Sequence, residues 1–88
     1  MATAVIPSLL RKLTNGKDQI SVSGKNLREA IEDLDRQFPG FRNQLIEDGD
    51  LKASIAISID GEVGTQGLLD PIRANSVIYF LPAISGGI

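Results

Sequence analysis

The side chains best suited to chemistry are missing from this sequence. Its 88 residues include neither cysteine nor histidine. No thiolate or imidazole is therefore on hand for zinc, copper or an iron–sulfur cluster, and neither Ser–His nor Cys–His nucleophilic machinery can be assembled. The lack of cysteine also excludes a disulfide framework, which fits a reducing compartment. Nine Lys+Arg stand against eleven Asp+Glu, a formal charge of −2, without the basic footprint that nucleic-acid phosphates demand. What holds chemical promise is the end of the chain. After Leu81-Pro82 come Ala83-Ile84-Ser85-Gly86-Gly87-Ile88. Glycines lack a Cβ, so the backbone at Gly86-Gly87 could enter a channel too narrow for other residues. A frayed end is the plain alternative.

The elements upstream must aim that tail. Val77 to Leu81 is a continuous apolar run of strand length, best placed at the centre of a sheet and closed by Pro82, which cannot donate to a ladder. Ala2 to Ile6 reads as a short strand stopped by Pro7. A loop through Leu9-Leu10-Arg11-Lys12 then reaches the turn dipeptide Asn15-Gly16. Gln19 to Ser23 alternates polar and apolar, the period of a half-buried strand, and completes a hairpin. Asn26 and Glu29 resemble a capping box. From Leu27, the residues Ala30, Ile31, Leu34 and Phe38 recur at helical spacing, and Pro39-Gly40 ends the helix. Its other face is charged; Glu32 and Arg36 stand four apart in the favourable order, and the acidic side chains there read as solvated surface. Phe41, Leu45 and Ile46 suggest a short helical turn before Asp48-Gly49-Asp50. Ile55, Ile57 and Ile59 alternate as a strand, and Asp60-Gly61 signals a hairpin with a short return limb. Leu68, Leu69 and Ile72 are expected in the core.

Strand, strand, helix, strand, short strand, strand is an order with few solutions. The right-handed crossover rule lets the helix lie across the first hairpin and the chain return beside it in parallel. An α+β, β-grasp domain over residues 1–82 with a flexible tail over 83–88 is the expectation. Met1 to Leu10 lacks the positive start of a secretory signal, and Val77 to Ile84 is too short for a membrane span. A cytoplasmic protein with no membrane or nucleic-acid partner is therefore expected.

The end Leu81-Pro82-Ala83-Ile84-Ser85-Gly86-Gly87 resembles the tail of the MoaD/ThiS sulfur carriers, ubiquitin-like proteins that typically finish L-P-P/A-V-S/A-G-G. Leu27-x-x-Ala30-Ile31-x-x-Leu34, closing at Phe38-Pro39-Gly40, is similar to that family's helix. Ile6-Pro7-x-Leu9-Leu10-Arg11, Thr14-x-Gly16 and Val22-x-Gly24 look most like the CysO branch, which carries sulfur for cysteine synthesis. The resemblance implies a carrier that acts as the substrate of partner enzymes and binds no cofactor stably. A MoeB-type activating enzyme would use ATP and magnesium to adenylate the terminal glycine carboxylate, and a rhodanese-like donor would convert it to a thiocarboxylate. A cysteine synthase-like acceptor would receive the sulfur. Gly87 would carry the adenylate and the sulfur, with Ser85 and Gly86 forming the slim tail.

Two departures from the family pattern stand out. Asn75-Ser76 replaces the usual Gly-Asp before the last strand; Asn tolerates left-handed geometry, so the turn is expected to survive. Ile88 ties the Gly87 carboxylate into a peptide bond. Trimming by a JAMM-type protease is one account, and an artefact of the sequence's end is the other. The resemblance also places Ile78 and Phe80 inward, leaving Val77, Tyr79 and Leu81 on the open face of the sheet. With Pro82 and Ile84 they form the candidate partner surface. Three rival readings remain: the small subunit of molybdopterin synthase, docking into that enzyme's large subunit; a ubiquitin-like modifier joined to lysines of targets; and a static interaction domain.

Overall fold

The computed structural model describes residues 1–52, 55–64 and 67–82. Strand β1 (Ala2–Val5) pairs antiparallel with β2 (Gln19–Val22), in the register Ala2↔Val22 to Val5↔Gln19. Between them lies a 3-10 helix, Ser8–Thr14, where an irregular loop was expected. Pro7 precedes it at φ −67, a pre-set angle suited to a helix start. Buried Thr14 holds the far end, its hydroxyl 2.7 Å from the Lys17 carbonyl and 3.1 Å from that of Arg11. Asn15 (φ 57) and Gly16 (φ 85) then turn the chain through left-handed geometry, as the Asn-Gly pair predicts.

Helix α1 (Leu27–Gln37) buries Leu27, Ala30, Ile31 and Leu34, the stripe read from the sequence. Asn26 caps it, its Oδ1 accepting the Glu29 N–H at 2.9 Å. Glu29 reaches back to the Lys25 N–H at 2.9 Å, a reciprocal box displaced by one residue from the usual form. The expected Glu32–Arg36 pair is not made. Arg28 contacts Glu32 at 3.3 Å, and Arg36 turns to Asp33 at 3.0 Å. The reason is that Asp33 is already fixed in place, accepting the Ser23 N–H at 3.0 Å, so it offers Arg36 a preorganised carboxylate.

Helix α2 (Phe41–Leu45) supplies two fully buried side chains, Phe41 and Leu45. Phe41 meets Phe80 edge-on, with ring centroids 6.4 Å apart. A hairpin not anticipated from the sequence follows, β3 (Ile46–Glu47) with β4 (Asp50–Leu51), turning through Asp48 and Gly49 at positive φ. Strands β5 (Ile55–Ile59) and β6 (Glu62–Val63) pair around Asp60-Gly61, at φ 55 and 87. Of the three apolar residues expected in the core nearby, Ile72 is buried and Leu68 packs against its edge, but Leu69 is 67% exposed. Both leucines sit in a 3-10 turn, Gly67–Leu69, where successive side chains diverge by about 120° and only one can face the interior.

Strand β7 (Val77–Pro82) occupies the middle of a five-stranded sheet ordered β2-β1-β7-β5-β6. It runs parallel to β1 (Thr3↔Val77, Val5↔Tyr79) and antiparallel to β5 (Ile57↔Phe80). Helix α1 covers one face. A mixed sheet with its first and last strands adjacent, wrapped around one main helix, is the β-grasp, ubiquitin-like α+β fold. The turn before β7 departs from expectation in detail. Asn75 is not at positive φ; Ser76 closes the turn instead, donating its N–H to the Arg73 carbonyl at 3.1 Å while its Oγ accepts the Arg73 N–H at 2.9 Å.

Candidate functional site

Alternation along β7 gives the sheet two unlike faces. Ile78 and Phe80 are buried at 0% and 2% exposure, whereas Tyr79 and Leu81 are 42% and 43% exposed and Val77 is half-buried. Paired residues on neighbouring strands share a face, so the register defines what surrounds them. One row crosses the whole sheet: Gln19, Val5, Tyr79, Ser58 and Val63. A second holds Ser21, Thr3 and Val77, and a third Leu81 and Ala56. None of these ten residues is charged, in a chain that is 23% charged. The structure therefore brings Val77, Tyr79 and Leu81 together on an uncharged open face. Pro82 is the last residue of β7; Ile84, Ser85, Gly86, Gly87 and Ile88 lie outside the described residues.

The β2 edge of the sheet is not equally open. The Ile6 N–H bonds to the Asp18 carbonyl at 2.8 Å, and by antiparallel alternation the backbone groups of Ser21 and Ser23 then point away from β1. Helix α1 reaches over to meet them. Gln37 Nε2 donates to the Ser21 carbonyl at 3.0 Å, and Asp33 Oδ2 accepts the Ser23 N–H at 3.0 Å. Asp35 is also engaged, accepting the N–H groups of Gly40 at 3.1 Å and Arg42 at 3.0 Å. These two carboxylates were expected to be solvated surface, and they hold the helix to the strand and to α2 instead. The outer backbone groups of β2 are thus bonded by the helix at Ser21 and Ser23.

Sequence reasoning missed the clasp that anchors β7. Asp60, in the β5–β6 turn, accepts the Val77 N–H on Oδ1 and the Ser76 hydroxyl on Oδ2, each at 2.9 Å. The Asp60 N–H donates to the Val77 carbonyl at 3.0 Å. The Val77 N–H holds the Asp60 carboxyl below its ordinary pKa of 3.8, aided by the Ser76 hydroxyl, against an opposing effect of burial that outweighs the further help from Arg73. The sequence offers Asp60-Gly61 as a turn, but nothing local ties it to a strand seventeen residues on.

Among the described residues, no group of three or more acidic side chains is placed to hold a metal ion, and no helix is long and apolar enough to cross a membrane. A surface hollow of about 910 Å³ is lined by Lys25, Arg36 and Arg42 beside Glu29, Glu32 and Asp35.

The sheet therefore has β7 at its centre and an uncharged outer face on that strand. The chain belongs to the ThiS family, whose model matches residues 5–87. It is 31% identical over 90 residues to the sulfur carrier protein CysO of Mycobacterium bovis and of Mycobacterium tuberculosis, covering 97% of this chain and of each relative. A chain in the crystal structure of the Amycolatopsis orientalis BexX/CysO complex superposes with a TM-score of 0.92 at 26% identity, covering 99% of this chain and 100% of that one. The crystal structure of Mycobacterium tuberculosis CysO gives 0.90 at 29%, covering 96% and 100%. The solution structure of small archaeal modifier protein 1 from Methanosarcina acetivorans gives 0.80 at 25%, covering 98% and 95%.

Proposed function

We propose that this chain carries sulfur as a thiocarboxylate on Gly87 and delivers it for biosynthesis, with cysteine the favoured product. The observation that supports this most is the uncharged outer face of β7 leading directly into a Gly-Gly end, beside a family whose CysO members are named sulfur carriers. A Gly87 carboxylate oxygen attacks the α-phosphorus of ATP held with magnesium by a MoeB-type enzyme, and pyrophosphate leaves. The terminal sulfur of a persulfide on a rhodanese-like donor then attacks the carbonyl carbon and displaces AMP. A dithiol reductant cleaves the S–S bond of the resulting acyl disulfide, leaving the thiocarboxylate, the donor's thiol and an oxidised disulfide. The loaded end enters an acceptor related to cysteine synthase, while Val77, Tyr79 and Leu81 rest against the partner, with Pro82 and Ile84 continuing that contact. Gly86 and Ser85 keep the approach narrow. Adenylation needs a free Gly87 carboxylate, so the reading requires hydrolysis of the 87–88 peptide bond, the work of a JAMM-type protease.

The test compares two purified forms with the MoeB-type enzyme of the same organism and ATP. The form ending at Gly87 should release pyrophosphate and, given a sulfur donor, gain the mass of one oxygen-to-sulfur exchange. The form ending at Ile88 should do neither. Failure of the trimmed form to be adenylated overturns the proposal; equal loading of both forms overturns the requirement for trimming. The likeness to an archaeal modifier protein favours one second reading, attachment of the tail to lysines of target proteins. Conjugates of high mass that survive boiling under reducing conditions would establish it.

A further inference from the structure

Charge is distributed unevenly along this chain. Residues 2–22 carry Arg11, Lys12 and Lys17 against the single carboxylate of Asp18, whereas the rest of the chain has six cations against ten carboxylates. All three hairpin cations lie in the loop that joins β1 to β2. Because β1 runs parallel to β7, that loop stands at the end of the sheet where β7 finishes and the tail begins. It is one strand away, about 5 Å in the plane of the sheet. Lys52 is at the same end, its carbonyl accepting the N–H of Ile55, which pairs with Pro82. Arg11 is partly held by donating its Nε–H to the Ile6 carbonyl at 3.1 Å. Lys12 and Lys17 are exposed, and among the described residues no ion pair involves any of these cations. The opposite end of β7 has the reverse sign, with Asp60, Glu62 and Asp70 gathered near Arg73.

We propose that Lys12 and Lys17 are orienting residues for the activating enzyme, and that this enzyme borders the entrance for the tail with carboxylates. The inference rests on the docking reading given above and adds a direction to it. An uncharged face alone gives no long-range alignment, since apolar and neutral polar contacts act only at short range. A cationic end and an anionic end give the carrier a dipole across the docking face, so the encounter is aligned before contact. The partner fitting this surface is a protein with an apolar patch, acidic on the side that swallows the tail.

The experiment measures association of the full chain with the MoeB-type enzyme, without nucleotide, over a range of salt. The double variant Lys12→Glu/Lys17→Glu should associate about tenfold more slowly at low ionic strength, with its dissociation rate close to that of the parent and the difference shrinking as salt rises. A matched variant, Lys25→Glu/Arg28→Glu, makes the same change in net charge at the opposite end, where the Lys25 carbonyl accepts the Ile72 N–H and the first turn of α1 meets Asp70. It should stay within about twofold of the parent. Melting curves establish that both are folded. Equal slowing of the two variants overturns the inference, because net charge alone would explain it; no slowing of the first overturns it as well. Tyr79→Glu separates this inference from the docking reading. If that variant loses binding while the lysine variant does not, only the acidic entrance is wrong. If Tyr79→Glu binds as the parent does, the docking face itself is wrong.

Discussion

Replacing Gly24 by alanine tests how the hairpin is joined to the helix. A Cβ built there would stand 2.8 Å from Ala30 N, 2.8 Å from Glu29 Cβ and 2.9 Å from Glu29 C. Two of these atoms are helix backbone and cannot rotate away. Ordinary contact begins near 3.4 Å, so the joint between β2 and α1 must open by roughly 0.6 Å. Overpacking of this kind costs about 1–3 kcal/mol. The movement also strains the Asn26 cap and the Glu29–Lys25 bond, each at 2.9 Å, and a weakened cap adds up to about 1 kcal/mol. Against this, alanine narrows the unfolded ensemble by about 0.4–1 kcal/mol. The net expectation is a loss of about 1.5–3 kcal/mol, read as a lower urea midpoint at unchanged slope. Gly16→Ala is the comparison: both glycines are at positive φ, 157 and 85, but Gly16 has nothing within 4 Å of a new Cβ, so it should lose only the backbone strain that the two share, about 1 kcal/mol. If Gly24→Ala melts within about 0.5 kcal/mol of the parent, close approach is not what the glycine provides and the steric argument fails.

Leu34→Ala, at a fully buried position on the α1 stripe, should cost about 2–5 kcal/mol in denaturant melts; a negligible loss would remove α1 from the core. Asp60→Asn tests the clasp through pH. The Asp60 pKa is depressed in the fold, so its stabilisation is complete above the unfolded value and fades as pH falls through the lower folded one. The stability gap between parent and variant should therefore be present at neutral pH and close in acid below about pH 3.8; a gap independent of pH would refute the linkage. Gly86→Val in the form ending at Gly87 should melt like its parent yet fail to gain sulfur in intact-mass measurements, because a β-branched side chain thickens and stiffens the tail. Normal loading would show that slimness at this position is not required.

Regular local patterns were the legible part of the sequence. The stripe Leu27, Ala30, Ile31, Leu34 and the alternation of Ile55, Ile57, Ile59 each repeat at one period, so a few residues suffice to reveal the element. The Asn15-Gly16 and Asp60-Gly61 turns were readable because left-handed backbone selects those residue types. Asp48-Gly49 is the same signal, but two-residue strands on either side leave no period to detect. Leu69 was misplaced because composition gives no hint of where a 3-10 turn points each leucine. The roles of Asp33, Asp35 and Asp60 were invisible for another reason: their partners Ser23, Arg42 and Val77 are seven to seventeen residues away, and only the tertiary fold brings them within reach. The outward set of Val77, Tyr79 and Leu81 was correctly placed through the strand period together with the family resemblance.

The parallel pairing of β1 with β7 also determines how this protein responds to force. Its N-terminus lies at one end of that pair and its tail leaves from the other, so tension between them runs along both strands in opposite directions. The bonds linking Thr3, Ala4 and Val5 to Val77, Ile78 and Tyr79 are then sheared together instead of being unzipped one by one. Forced unfolding is governed by the barrier to the first rupture, and a ladder that must break at once keeps that barrier high. A machine pulling on the tail grips the strand at the middle of the sheet, held by β1 on one side and β5 on the other. The strand that leads into the Gly-Gly end is thus a poor handle for unravelling the protein.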